Sequence, residues 1–225
     1  MSSNMNNTQE TIRRAGILFI LMGPTGSGKT TLCDKLVSEF SANLQYSVSA
    51  TSRMPRPGEV QGKSYHFLKQ DDFITKREAG EFFEWEETHG NLYGTLNSSL
   101  VSGINAGMDL LFQVDIRGAL KFKRQFPNNT VTVFLVPPKF EVMKQRLASR
   151  GTTDSQELAK RFTTAKSEYE SLLDSHGSPD TIDYLVVNSE IEATYDRVRA
   201  IVMAERARYH RMEKVSIEQF CEVSV

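Results

Sequence analysis

Ile17-Leu18-Phe19-Ile20-Leu21-Met22-Gly23-Pro24-Thr25-Gly26-Ser27-Gly28-Lys29-Thr30 is the stretch on which the reading of this chain turns. Its apolar part, Ile17 to Leu21, has no alternation, which predicts a strand buried on both faces of a parallel sheet. The strand ends at Gly23. Beyond Thr30 the apolar residues fall at Leu32, Leu36, Val37 and Phe40, the spacing of one helix face. Between strand and helix, Gly23 to Thr30 fits G-x-x-x-x-G-K-[ST] in the context that the motif requires. Glycines let the backbone wrap a phosphate with its N–H groups, at a helix N-terminus whose partial charge favours anions. Lys29 is expected to reach the β- and γ-phosphates of ATP, and the hydroxyl of Thr30 to meet Mg2+.

Further unbroken apolar runs occur at 110–114, 131–136 and 184–187. Helical patterns lie near 139–149, 156–173 and 190–212, the last with Ile191, Tyr195, Val198 and Val202 on one face. This alternation predicts an α/β fold with a parallel sheet. Between 48 and 107 the texture changes to shorter apolar pieces, prolines, glycines and aromatics, which reads as an inserted lobe.

With 225 residues, 39% hydrophobic and 24% charged, the chain suits one compact domain that folds in water. Its 27 Lys and Arg nearly cancel its 28 Asp and Glu, so no global field draws it to nucleic acid or an anionic membrane. Cys33 and Cys221 match no metal-ligand spacing and form no disulfide framework, which fits a reducing, cytoplasmic setting. No signal peptide or membrane-spanning segment is read.

Asp115 ends a second apolar strand, and reads either as an acid beside the phosphate loop or as a cap of the next helix. Arg53 and Arg56 lie three apart in a proline-stiffened stretch after several hydroxyls, and read either as a phosphate clamp or as a solvated basic loop. Tyr65 and Tyr93 each offer a phenolic donor or simple packing. Glu84, between Phe83 and Trp85, is either a partly desolvated carboxylate meant for a partner or the polar side of a strand.

Taken in order, GPTGSGKT, SVSATSRMPRPGE, GKSYHF, FFEW, NLYGT and RLASRG followed by KR resemble the guanylate kinase family over about residues 15–210. The resemblance implies a P-loop nucleoside-monophosphate kinase fold: a core at 15–47 and 108–210, a GMP-binding lobe at about 48–107 and a lid at about 146–162. Residues 1–14 and 211–225 read as a flexible extension and a tail. It implies an ATP site at Gly23, Pro24, Thr25, Gly26, Ser27, Gly28, Lys29, Thr30, Thr31, Arg146 and Asn188. It assigns Arg53, Arg56, Tyr65 and Tyr93 to the GMP phosphate, with Ser49, Glu84, Gly94, Thr95, Gln113 and Asp115 completing the GMP site. Lys29, Arg53, Arg150 and Arg161 would be catalytic, the last two closing over the transferring group, and Thr30 would meet Mg2+. The family usually has an acidic residue where Gln113 stands and a glutamine where Arg117 stands.

The implied reaction is ATP + GMP giving ADP + GDP, with dGMP as an alternative acceptor. A homo-oligomer is left open. Two other readings stand beside it: a protein-binding module without turnover, which the intact Lys29 and Thr30 oppose, and a related P-loop kinase with another phosphorylated acceptor, which Glu84 with Ser49 opposes.

Overall fold

The computed structural model describes residues 13–24, 26–88, 90–148, 155–174, 182–214 and 218. Five parallel strands form the main sheet: β1 (Leu18–Met22), β2 (Leu44–Tyr46), β7 (Asp109–Gln113), β8 (Thr130–Val136) and β9 (Tyr184–Val187), in the order β2-β7-β1-β8-β9. β1 is central, and its lack of alternation results from having a helical layer on each face. Ile17, Phe19 and Leu21 pack with Leu32 and Leu36 of α1 (Lys29–Glu39) and with Tyr195, Val198 and Val202 of α7 (Ile191–Arg206). Leu18, Ile20 and Met22 pack oppositely, with Leu100 of α3 (Asn97–Asn105) and with Ala119 and Phe122 of α4 (Ile116–Gln125).

The inserted segment builds its own four-stranded sheet, in the order β4-β3-β6-β5. Its strands are β3 (Ala50–Thr51), β4 (His66–Phe67), β5 (Phe82–Thr88) and β6 (Asn91–Leu96). α2 (Gln70–Glu78) covers one face, and Phe73 stacks on Phe82 at 4.2 Å between ring centroids. Phe83 instead packs with the core cluster of α3 and α4, so the lobe is seated on the core through β5. Beyond β8 lie α5 (Phe140–Ala148) and α6 (Ser155–Asp174).

The last helical pattern is shorter than its apolar spacing predicts. α7 stops at Arg206, and a separate 3-10 turn, Tyr209–Arg211, comes after it. The break lets Arg211 turn inward onto Glu205, at 2.5 Å, with both side chains buried. A second buried ion group lies at the opposite end of the sheet from the phosphate loop: Asp109 accepts from Arg14, from Arg206 at 2.7 Å and from the amide of Ile17 at 2.9 Å. Among the described residues no helix is long and apolar enough to cross a membrane. Cys33 is a buried thiol, pushed up to about 12 mainly by its burial; Cys221 lies outside the described residues.

Candidate active site

Parallel pairing brings the carboxyl ends of β1 and β7 side by side, with Leu21 opposite Gln113. The loop leaving β1 therefore borders the turn leaving β7, in the crevice where α/β sheets take ligands. After β1 the chain turns through Gly23, Pro24, Gly26, Ser27 and Gly28 into α1; Thr25 lies outside the described residues. Gly28, at φ +92°, is a conformation that L side chains avoid, and a Cβ there would collide with the amide of Asn188. α1 has no side-chain cap and no acidic residue in its first turn, and its leading N–H groups open toward the loop. Such a helix start is an anion site.

The loop is braced from behind. Asn188, at the end of β9 and 1% exposed, donates from Nδ2 to Ser27 O at 2.6 Å. Arg146 of α5 in turn donates to the carbonyls of Asn188 and Ser189, each at 3.2 Å. The Ser27 hydroxyl is fully buried and has no partner among the described residues, an open polar group inside the cradle. Lys29 curls over its own loop, donating to the carbonyl of Gly23 and to Pro24 O at 3.1 Å.

Thr30 Oγ1 donates to Gln113 Oε1 at 3.3 Å, a bond from the phosphate loop to the end of β7. Two residues on, Asp115 caps α4 by accepting from the amide of Gly118 at 2.8 Å. Of the two readings of Asp115 the cap is thus present, and the residue also lines the cleft between core and lobe. That cleft, of about 360 Å³, is walled on the lobe side by Ser49, Glu84, Gly94 and Thr95. Gly94 has no room for a Cβ, which would press on Glu84 O and the Phe82 ring.

Glu84 is half-buried, and Thr95 donates its hydroxyl to Glu84 Oε1 at 3.3 Å. Desolvation holds the Glu84 carboxyl above the ordinary glutamate value, opposed by the Thr95 hydroxyl and the charge of Lys121. At the outer end of the same lobe, Arg53 lies over the Tyr65 ring at 5.5 Å, and Tyr65 meets Tyr93 edge-on at 6.1 Å. Glu59, which sequence reasoning passes over, ties this end together. It accepts from Arg53 at 2.8 Å and from the amide of Arg56 at 2.7 Å, and the Arg53 guanidinium holds its carboxyl below the usual range. The Arg56 residue is exposed.

So Ser49, Glu84, Gly94, Thr95, Gln113 and Asp115 converge on one cleft wall, with Tyr93 joining them to Arg53 and Tyr65. Arg150 lies outside the described residues, and Arg161 falls in α6 with its side chain outside them. Among the described residues no cluster of three or more His, Cys, Asp or Glu could hold a metal ion. The oxygen donors present are the Thr30 hydroxyl and the Gln113 carbonyl, hard and few, as suits an ion that keeps most of its ligands on substrate phosphates.

The family model described as guanylate kinase matches residues 16–205. A guanylate kinase of Desulfitobacterium hafniense is 40% identical over 196 residues, covering 87% of this chain and 94% of the relative. One of Thermotoga maritima is 38% identical over 205 residues, covering 91% and 94%. The crystal structure of guanylate kinase from Anaplasma phagocytophilum superposes with a TM-score of 0.64 at 28% identity, covering 94% of this chain and 98% of that one. A phosphate loop facing a carboxylate-lined cleft, in a chain matched along nearly its whole length, leads to one conclusion: it belongs to the guanylate kinase family.

Proposed function

We propose that this chain transfers the γ-phosphoryl group of ATP to GMP, giving ADP and GDP, and that it does so in the cytoplasm as part of purine nucleotide metabolism. The observation that carries the reading is the pairing of half-buried Glu84 with Thr95 on a cleft whose opposite side includes Gln113, the residue to which Thr30 of the phosphate loop donates. Guanine offers N1–H and an exocyclic amino group as adjacent donors, which one carboxylate accepts together. The Ser49 or Thr95 hydroxyl can donate to O6. Adenine reverses that pattern and would leave buried groups unpaired, which is the strong form of selectivity.

The GMP phosphate would be met by Arg53, Arg56, Tyr65 and Tyr93. Its second pKa is about 6, so it is already largely ionised near neutral pH and needs no general base. Catalysis is then a matter of alignment and charge. Lys29 and the N–H groups of the loop hold the donor phosphates, and Arg150 and Arg161 are assigned to close over them. Asn188 supports the loop at Ser27 O, which makes it a positioning residue for ATP. Thr30 would hold Mg2+, with Gln113 Oε1 keeping the hydroxyl proton turned away. Such an ion would supply positive charge to offset that of the departing phosphoryl group. The unit boundaries proposed are a lobe at about 48–107 and a lid at about 146–162 on a core of 15–47 and 108–210.

ADP release with ATP and Mg2+, measured against a panel of nucleoside monophosphates, tests the reading. GMP and dGMP are expected to respond well, and AMP, CMP and UMP poorly. Equal response to AMP would overturn the role of Glu84.

A further inference from the structure

One carboxylate on the cleft wall has no part in the site as described so far. Side chains of β5 alternate between faces, and the register puts Glu84 opposite Thr95 and Glu86 opposite Tyr93. Glu84 bonds to Thr95 on the cleft side, and Tyr93 meets Tyr65 there. Trp85, between the two glutamates, turns to the other face, where Arg77 of α2 stacks on it at 4.8 Å. Glu86 therefore shares the cleft face with Glu84, and it lines the cleft. It is exposed, and it makes no hydrogen bond or ion pair among the described residues.

The order of groups along this wall matches the order of parts in a nucleotide. Glu84 and Thr95 stand at the base end, Glu86 and Tyr93 share the next rung with Thr51, and Arg53, two residues beyond Thr51 and over the Tyr65 ring, stands at the phosphate end. One rung of the β5–β6 ladder, about 7 Å along the strand, separates Glu84 from Glu86. What lies one rung from a base, on the way to the phosphate, is the sugar. An ionised carboxylate only accepts hydrogen bonds, and sugar hydroxyls can donate them. A second phosphate at this point would be repelled, and an apolar group would gain nothing from a solvated charge.

We propose that Glu86 accepts a hydrogen bond from the ribose 2′-hydroxyl of the acceptor nucleotide, and so makes this chain favour GMP over dGMP. The inference rests on GMP being the acceptor and adds a specificity-determining residue to that site. Nothing covalent changes at Glu86. Its effect is confined to the difference between two acceptors that are identical except at that hydroxyl.

The test measures kcat/KM for GMP and dGMP at saturating ATP, with calorimetric binding of each nucleotide, in the wild type, Glu86→Ala and Glu86→Gln. The wild type is expected to favour GMP about tenfold, the scale of one hydrogen bond to a charged group. Glu86→Ala should bring that ratio to within about twofold of one, with the loss falling on GMP. Glu86→Gln, whose amide oxygen still accepts, should lie between them. A wild-type ratio near one, or equal losses for both nucleotides as expected if Glu86 pairs with a lid arginine, would overturn the inference. Should Glu86→Ala fail to fold, Glu86→Gln still decides. Failure of the acceptor reading itself has a different signature: neither nucleotide binds or turns over in the wild type.

Discussion

At the phosphate loop the groups that would hold a nucleotide are backbone N–H donors fixed by a left-handed glycine and a buried asparagine; across the cleft they are side chains held by one another. Gly28 leaves no room for a Cβ against the Asn188 amide, which itself holds Ser27 O. Arg53, by contrast, rests on Glu59, an exchangeable partner that stands where another anion can compete. The difference reflects what each side must read. A polyphosphate is recognised by the same backbone geometry every time, so the loop can be complete in advance. A base is recognised by side chains, whose polar groups need interim partners until it arrives.

The sharpest break in this comparison comes from Lys29→Ala. Lys29 bonds to the carbonyls of Gly23 and Pro24 in the loop, so the fold should survive its loss, with a melting temperature within about 2 °C of wild type. Turnover should fall by at least about a hundredfold, the usual scale for losing one preorganised electrostatic contact. A loss under threefold would remove the donor-site assignment.

On the acceptor side the effect is smaller and shows a pH signature. Glu84→Gln leaves an amide that cannot accept both guanine donors, and kcat/KM for GMP should drop about tenfold. Burial raises the Glu84 pKa, and the ionised form is the one that accepts. Activity toward GMP should therefore be lost as pH falls through a value above the ordinary glutamate range, and this limb should vanish in Glu84→Gln. An unchanged acid limb in the variant would mean that another group sets it.

The smallest expected change sharpens the contrast most. If Glu59 is only an interim partner, Glu59→Gln releases Arg53 and lowers KM for GMP about two- to fivefold, the range of exposed ion pairs. A rise in KM would instead make Glu59 a permanent brace, and the acceptor side would be as finished as the donor side.

Legibility in the sequence divides along the same line. β1, β7 and β8 are readable because strands buried on both faces must be apolar throughout, β9 from its apolar run although Leu185 and Val187 are exposed at the sheet edge, and the phosphate loop because a glycine pattern between strand and helix is local. β2 is not, being a three-residue edge strand with only Leu44 buried. The two-residue strands β3 and β4 carry no period at all. Glu86 escapes notice because its place depends on the pairing of β5 with β6, and Glu59 because nothing in the spacing says that it turns back onto Arg53 and the amide of Arg56. The family resemblance points Asn188 at the ATP site; its amide lies buried under Ser27, visible only once β9 is set beside β8. Asp109, gripped by Arg14 and Arg206, gives no signal either, since all three are far apart in sequence.

That Asn188–Ser27 bond also has a consequence in time. Its two ends are separated by 161 positions, and β9 is the last strand of the sheet to be made. During synthesis at about 5–20 residues per second, the glycine loop leaves the ribosome at least roughly eight seconds before its brace exists. A nascent chain halted before residue 188 carries the whole phosphate-loop motif and an unbraced cradle. Nucleotide capture by such a chain should begin only when the last strand has docked, so a ligand present during translation would reward completion of the fold and not its early stages.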